Sequence, residues 1–433
     1  MVWVVRAYQT NSDHGRLSCP ETRMTRFKQT SLLIAALFAA APAVHAAGFQ
    51  LSEQSIVGLG RAHAGAGVAG DDLSAVFYNP AGMMLLNGTQ VQGGFTYAEI
   101  DAPFEGTTTK TGKRFSDNGR AGGEAIPNAF FVKEINERTR FGFGVTVPFG
   151  LGSGYGENWD GRNEGIEAHI MTVDLNPSLA YQLDDKWSIG AGVSAQYTKA
   201  NLKKGARGAP SSVSGEIEAD SWDYGYNLGL MYQFNADSRV GLSYRSKIQH
   251  EPEGDYTVEG FPEVTGLNGV YGGANKVTTP ESILLSGYHR VDSKLALTGS
   301  LRWSNWSRYD TLTTVNDSGK VPASIIENNW KASWFASVGA DYNYSDKLTL
   351  RGGVAYETSP VPDAEHRSPL IPDTDRVWLS LGGSYKVDKN LTLDAGYTYL
   401  MGVGDRDINA ADFKGSYSSI TGHLIGVGMQ YRF

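Results

Sequence analysis

The chain has 433 residues, 41% of them hydrophobic, with 38 Lys and Arg against 46 Asp and Glu, for a formal net charge of −8. An acidic balance with no basic stripe argues against nucleic acid as a partner. A single cysteine, Cys19, excludes a disulfide scaffold.

From Met24 the chain reads MTRFKQTSLLIAALFAAAPAVHA, with Arg26 and Lys28 ahead of an apolar stretch from Ser31 to Val44 that closes on small residues at Val44 and Ala46. This is the pattern of a secretory signal cleaved after Ala46, with Met24 as the initiator and residues 1–23 as an upstream extension. Its apolar core is too short for a stop-transfer helix. Residues 1–46 are therefore expected to be removed. Then 433 less 46 leaves 387 residues without cysteine, and 33 basic against 44 acidic side chains give a charge near −11.

Residues 47–88 are Gly- and Ala-rich and show no period-two run, which predicts a compact N-terminal hatch or plug. Within them Gly65 to Gly70 matches G-x-G-x-x-G. A dinucleotide site would need a flanking βαβ unit, which is absent, so close backbone packing is the better reading.

Residues 89–433 alternate with period two. Trp187, Ile189, Ala191, Val193, Ala195 and Tyr197 interleave with Gly, Ser, Gln and Thr; similar runs begin at Phe141 and Leu391. Successive strand side chains point to opposite faces, so each run has one apolar and one polar face. The polar faces are rich in glycine and small hydroxyl residues, and the apolar faces end in Trp and Tyr, as a membrane girdle requires. The last run, Ile425 to Phe433, ends in an aromatic residue, like the signal by which outer-membrane barrels reach their assembly machinery. Short connectors at 136–138, 184–186, 235–238, 292–294, 345–347 and 388–390 alternate with long stretches near 103–125, 150–166, 204–220, 256–276, 310–328, 359–374 and 406–418. Thirteen connectors make fourteen strands. The expected fold is all-β: a 14-stranded antiparallel transmembrane barrel, plugged by the N-terminal hatch because such a lumen is too wide for side chains alone to fill.

Parity then assigns faces. In the fifth strand even positions face inward, which includes Lys204, just past Leu202; in the tenth the same argument turns Lys331 and Phe335 to the lumen. Each lysine either meets an anionic head group or balances lumenal carboxylates such as Asp341. Pro148, in Val147-Pro148-Phe149-Gly150, lacks the N–H of a paired strand. It implies a kink in the third strand, or the strand's end beside a long loop.

Several segments resemble the outer-membrane long-chain fatty acid transporters of the FadL type, the FadL/TodX family. They are Ala47-Gly48-Phe49-Gln50-Leu51, Gly58-Leu59-Gly60-Arg61-Ala62, Asn79-Pro80-Ala81, Ser359-Pro360-Val361-Pro362 and Ile371-Pro372-Asp373-Thr374-Asp375-Arg376. The resemblance covers the whole mature chain. It implies uptake of a long-chain fatty acid, with Lys204 and Lys331 at its head group and Phe49, Leu202 and Phe335 along its tail. It also implies lateral release at the kink and a hatch fixed by Asn79, Pro80 and Ala81 near Asp373, Asp375 and Arg376. Lys204 stands where the family pattern suggests arginine, which puts a bidentate clamp in doubt. Expected partners are outer-membrane lipid and lipopolysaccharide; no cofactor is expected, and the chain is expected to act as a monomer. Related proteins carry aromatic hydrocarbons or alkanes, so those remain alternative cargoes. A hydrolase is disfavoured because the mature histidines, His63, His169, His250, His289, His366 and His423, form no grouping with a nucleophile. A diffusion porin leaves the plug and Pro148 without a role.

Overall fold

The computed structural model describes residues 48–117 and 123–433. The signal segment with Met24, Cys19 and Ala47 lies outside the described residues. Fourteen antiparallel strands close into a barrel, each hydrogen-bonded to its sequence neighbour. They are β1 (Thr89–Asp101), β2 (Glu124–Asn136), β3 (Thr139–Thr146, resuming at Gly150–Gly154), β4 (Glu167–Gln182), β5 (Trp187–Gly205) and β6 (Ser214–Gln233). Next come β7 (Ser238–Arg245, continued by Ile248–His250 and Glu253–Glu259), β8 (Gly269–Thr279 and Ser282–Arg290) and β9 (Leu295–Ser304 and Thr311–Asn316). The last five are β10 (Ser324–Glu327 and Ser333–Asn343), β11 (Leu348–Glu357), β12 (Arg376–Lys386), β13 (Leu391–Gly402) and β14 (Thr421–Arg432). The wall closes where β1 pairs with β14, from Gln90↔Arg432 to Asp101↔Thr421.

The outward face is greasy: Leu179, Val193, Val338 and Leu381 are all more than half exposed. An apolar belt this continuous belongs against lipid. Exposed aromatics bound it at both ends, with Trp187, Tyr344, Tyr385 and Phe433 beside the short turns and Tyr97, Trp222, Trp334 and Tyr356 toward the long loops. In β10, Trp334 and Tyr344 bracket the ~9–11 residues that a tilted transmembrane strand needs.

The long stretches are more regular than the sequence suggests. Several strands run on past the membrane belt into them, so 204–220 and 256–276 are largely strand. A separate four-stranded sheet joins Phe104–Thr108, Arg114–Asp117, Asp407–Asn409 and Phe413–Tyr417. Phe104, Trp159, Phe413 and Tyr417 pack beneath it. These pairings are between distant loops, so local pattern does not reveal them.

Residues 48 to 87 lie inside the cylinder. Nearly all are buried, and they contact strands around the whole circumference. Short helices at Ile56–Leu59 and Ala75–Tyr78 and a tight turn of helix at Pro80–Leu85 give the segment its shape. The lumenal glycines explain the fit. Gly382 of β12 meets Gly60 so closely that a Cβ on either would collide with the other's backbone.

Candidate functional site

Several ladders of the wall are interrupted, and the interruption at Pro148 is the one that the N-terminal segment meets at Phe149. The β3–β4 ladder runs to Thr146↔Asp174 and resumes at Gly150↔Met171, so Val147, Pro148 and Phe149 face only Val173 and Thr172. This is a bulge of one extra residue, centred on the proline. On the other side the β2–β3 ladder ends at Ala129↔Val145. Beyond it, Glu124 to Asn128 pair with β1 alone, and Gly150–Gly154 pairs with β4 alone, among the described residues. The result is a seam between the outer halves of β2 and β3.

The N-terminal segment occupies the inner side of that seam. Leu51 N–H donates to Pro148 O at 2.8 Å, Gly150 N–H donates to Phe49 O at 2.9 Å, and Gln50 bridges Phe149. The Gln54 amide completes the set, donating to Val147 O at 2.7 Å and accepting from Val147 N–H at 3.2 Å. Phe149 N–H donates to Thr172 Oγ1 at 3.0 Å. The kink is thus satisfied by borrowed partners, as buried backbone requires.

Phe49 anchors the segment in an aromatic box. Its ring centroid lies 4.8 Å from Trp306, 5.3 Å from Tyr309 and 6.0 Å from Phe149. Gly48, at φ +64°, runs so close to Trp330 that a Cβ would collide with the indole. Phe49 also forms the floor of a narrow apolar chamber, with Ala200 and Val277 in its wall. Ile170, Leu202, Tyr309 and Leu312 line both this chamber and a second cavity of about 770 Å³, counted with its open mouth. The two are adjacent, sharing these residues, between the loop region and Phe49.

A cation stands on the outer cavity. Lys204 lines it, half-buried, and its ammonium donates to Ser324 Oγ. Lys203 beside it is engaged by Glu157 at 2.7 Å, whereas Lys204 has no carboxylate within ion-pair distance among the described residues.

Other sequence expectations need correction. Lys331 is exposed and lines neither cavity. It precedes the second part of β10, and Trp330 takes the buried position, so the parity counted back from Trp334 does not reach it. Asp341 is balanced by Arg61 and Arg351 instead. Phe335 is buried in the lumen against Trp378, under the Arg302 guanidinium, and lines neither cavity. Asn79-Pro80-Ala81 sits far from Asp373, Asp375 and Arg376: the Asn79 amide donates to Leu230 O on β6 at 3.1 Å and caps Ala81 N–H. Asp375 accepts from Tyr356 Oη and from Ser359 N–H, and Asp373 pairs with Arg376, so these residues brace the wall.

Parity did not reveal two charged clusters against the segment, of which the first bolts it down. Arg61 donates to Asp341 of β10 at 2.9 Å and to Asp71 at 3.0 Å, and Arg351 of β11 reaches both carboxylates at 3.3 Å. Burial works against the charge on Asp71, yet Arg61 and Arg351 hold its carboxyl below the ordinary value. The second cluster surrounds Glu53, which is fully buried. Burial pushes its carboxyl up to about 7, Glu357 adds to the rise, and Arg302 and Arg376 oppose it. A carboxyl raised this way favours the folded segment below its unfolded value of 4.5, and that advantage is lost as pH climbs through about 7. Above that point ionised Glu53 costs about 3 kcal/mol. The protection factors of the Phe49–Leu59 amides, which divide out the base-catalysed rise of intrinsic exchange, should therefore fall between pH 5 and pH 7 in the wild type and stay level in Glu53→Gln. An equal fall in the variant would show that another group titrates.

The comparisons with known proteins fit this arrangement. A family model described as "Outer membrane protein transport protein (OMPP1/FadL/TodX)" matches residues 37–433. The chain belongs to this FadL/TodX family. It is therefore an outer-membrane transport protein for hydrophobic compounds. It is 33% identical to outer membrane protein P1 of Haemophilus influenzae, across 95% of this chain and all of that protein. It is 30% identical to the long-chain fatty acid transport protein of Escherichia coli K12, with the same coverage. Among solved structures, a Pseudomonas aeruginosa FadL homologue superposes with a TM-score of 0.80 at 26% identity, over 89% of this chain and all of that one. The Pseudomonas putida toluene transporter TodX shares the fold, with a TM-score of 0.65 at 19% identity over 84% of this chain and 94% of its own.

Proposed function

We propose that this family member takes up long-chain fatty acids, with Lys204 receiving the carboxylate and the two adjacent cavities receiving the tail. The carrying observation is an ammonium with no carboxylate within ion-pair distance among the described residues, on the outer of two adjacent apolar cavities, the inner of which Phe49 lines. Each buried methylene contributes about 0.8 kcal/mol, so a sixteen-carbon tail gains roughly ten before binding costs are subtracted. The tail supplies the affinity and the lysine orients it. The Escherichia coli relative is a long-chain fatty acid transport protein, which favours the same cargo here.

In this reading residues 47–88 are the hatch and residues 89–433 the barrel. A tail pressing into the inner chamber competes with Phe49 for its aromatic box. Once Phe49 leaves, Gln50 and Leu51 withdraw from the kink, and the chamber opens onto the seam between β2 and β3. The cargo leaves sideways into the outer leaflet, avoiding the water beneath the barrel.

The aromatic rings of Phe49 and Tyr309 in the inner chamber support a second reading, aromatic hydrocarbons, which need no cation. Lys204→Ala separates the two. A charged hydrogen bond of ~1.5–3 kcal/mol predicts roughly 10- to 100-fold weaker oleate binding. Toluene uptake should stay unchanged. Oleate binding unaltered in Lys204→Ala removes the head-group assignment.

A further inference from the structure

We propose that Thr96, Asn128 and Thr146 form a head-group station on the inner side of the seam, holding the carboxyl or hydroxyl end of an amphiphile while its tail passes between β2 and β3. The proposal rests on the lateral-release reading above and adds the residues that would hand the polar end through.

All three side chains are buried, Thr96 and Thr146 completely. Among the described residues, Thr96 Oγ1, both amide atoms of Asn128 and Thr146 Oγ1 have no hydrogen-bond partner, and neither has Oε2 of nearby Glu124. Buried polar atoms in folded proteins are nearly always paired, so this concentration asks for a missing partner. Their placement says which. Asn128 lies opposite Gly94 on β1, and Thr96 is two residues further along the same inward face. Asn128 sits just beyond the last β2–β3 rung, and Thr146 is the last residue of β3 before the bulge. The group therefore stands at the foot of the seam.

The surroundings are apolar: Leu51, Ala98, Ile100, Ile126 and Val147 belong to one buried cluster. A polar island in an apolar passage suits a molecule with one polar end. Asn128 offers a donor and an acceptor, and each threonine offers both in one hydroxyl. This set accepts a carboxylic acid, its anion or an alcohol equally, and it offers a plain hydrocarbon nothing.

The test compares oleate and toluene uptake through the full-length protein in wild type, Asn128→Leu and the Thr96→Val, Thr146→Val double variant. The threonine changes keep shape and remove only hydroxyls, so they carry the same test should Asn128→Leu fail to assemble. Removing the station should slow oleate passage about tenfold. Oleate binding at the outer cavity and toluene passage should both hold. Oleate carried equally well by the variants overturns the station alone, and so does an equal loss of both substrates. A wild-type protein that carries no oleate overturns the cargo reading, and the station with it.

Discussion

A disulfide between Gln50→Cys and Phe149→Cys should abolish oleate uptake under oxidation and return it on reduction. These residues face each other across the isolated bridge that joins the N-terminal segment to the kink. Bridge partners are close to the Cα separation of ~4.4–6.8 Å that a disulfide requires. The crosslink would fix the segment across the inner side of the seam. Because the same molecule is read before and after reduction, the loss of two native side chains cancels out of the comparison. Uptake that continues at its reduced rate in the crosslinked protein would show that cargo leaves by a route that does not need this segment to move.

The second large effect is expected at Arg61. Its guanidinium joins Asp71 of the segment to Asp341 of the wall, and Arg351 reaches the same two carboxylates. Removing one member of a buried ionic group leaves the others uncompensated, at about 3–5 kcal/mol. That is a large fraction of what holds a forty-residue plug in place, against domain stabilities of ~5–15 kcal/mol. Arg61→Ala should therefore pass more steady current in planar bilayers than the wild type, with the segment open to protease. A variant that keeps the wild-type current and protection would show that the aromatic box around Phe49 holds the segment by itself.

The barrel was legible because its physics is local. Lipid outside and glycine, hydroxyl and charge inside impose period two on every strand, and all six predicted short connectors lie between successive strands. The site was legible only in part. Lys204 follows an unbroken run of β5, so parity carries to it; Lys331 lies beyond an interruption in β10, where Trp330 turns inward in its stead. Counting faces works only while the ladder is continuous. Pro148 was informative for the same reason, as a residue that cannot donate to a ladder. Pro127 in β2 carried the same signal: it sits in the stretch that has lost its neighbour on the β3 side. The Arg61 and Glu53 clusters and the sheet built from distant loops join residues hundreds of positions apart, and no local pattern encodes them.

The surplus residue of β3 has a genetic consequence. Three residues on one strand opposite two on its neighbour is an offset that losing one codon between Val147 and Phe149 would erase. Both halves of the strand would then share one register with β4, and the upper half could rejoin β2. Strand number, turns and girdles would be untouched. If cargo leaves through the seam as proposed, a sealed jar and a sluice of this architecture differ by three nucleotides.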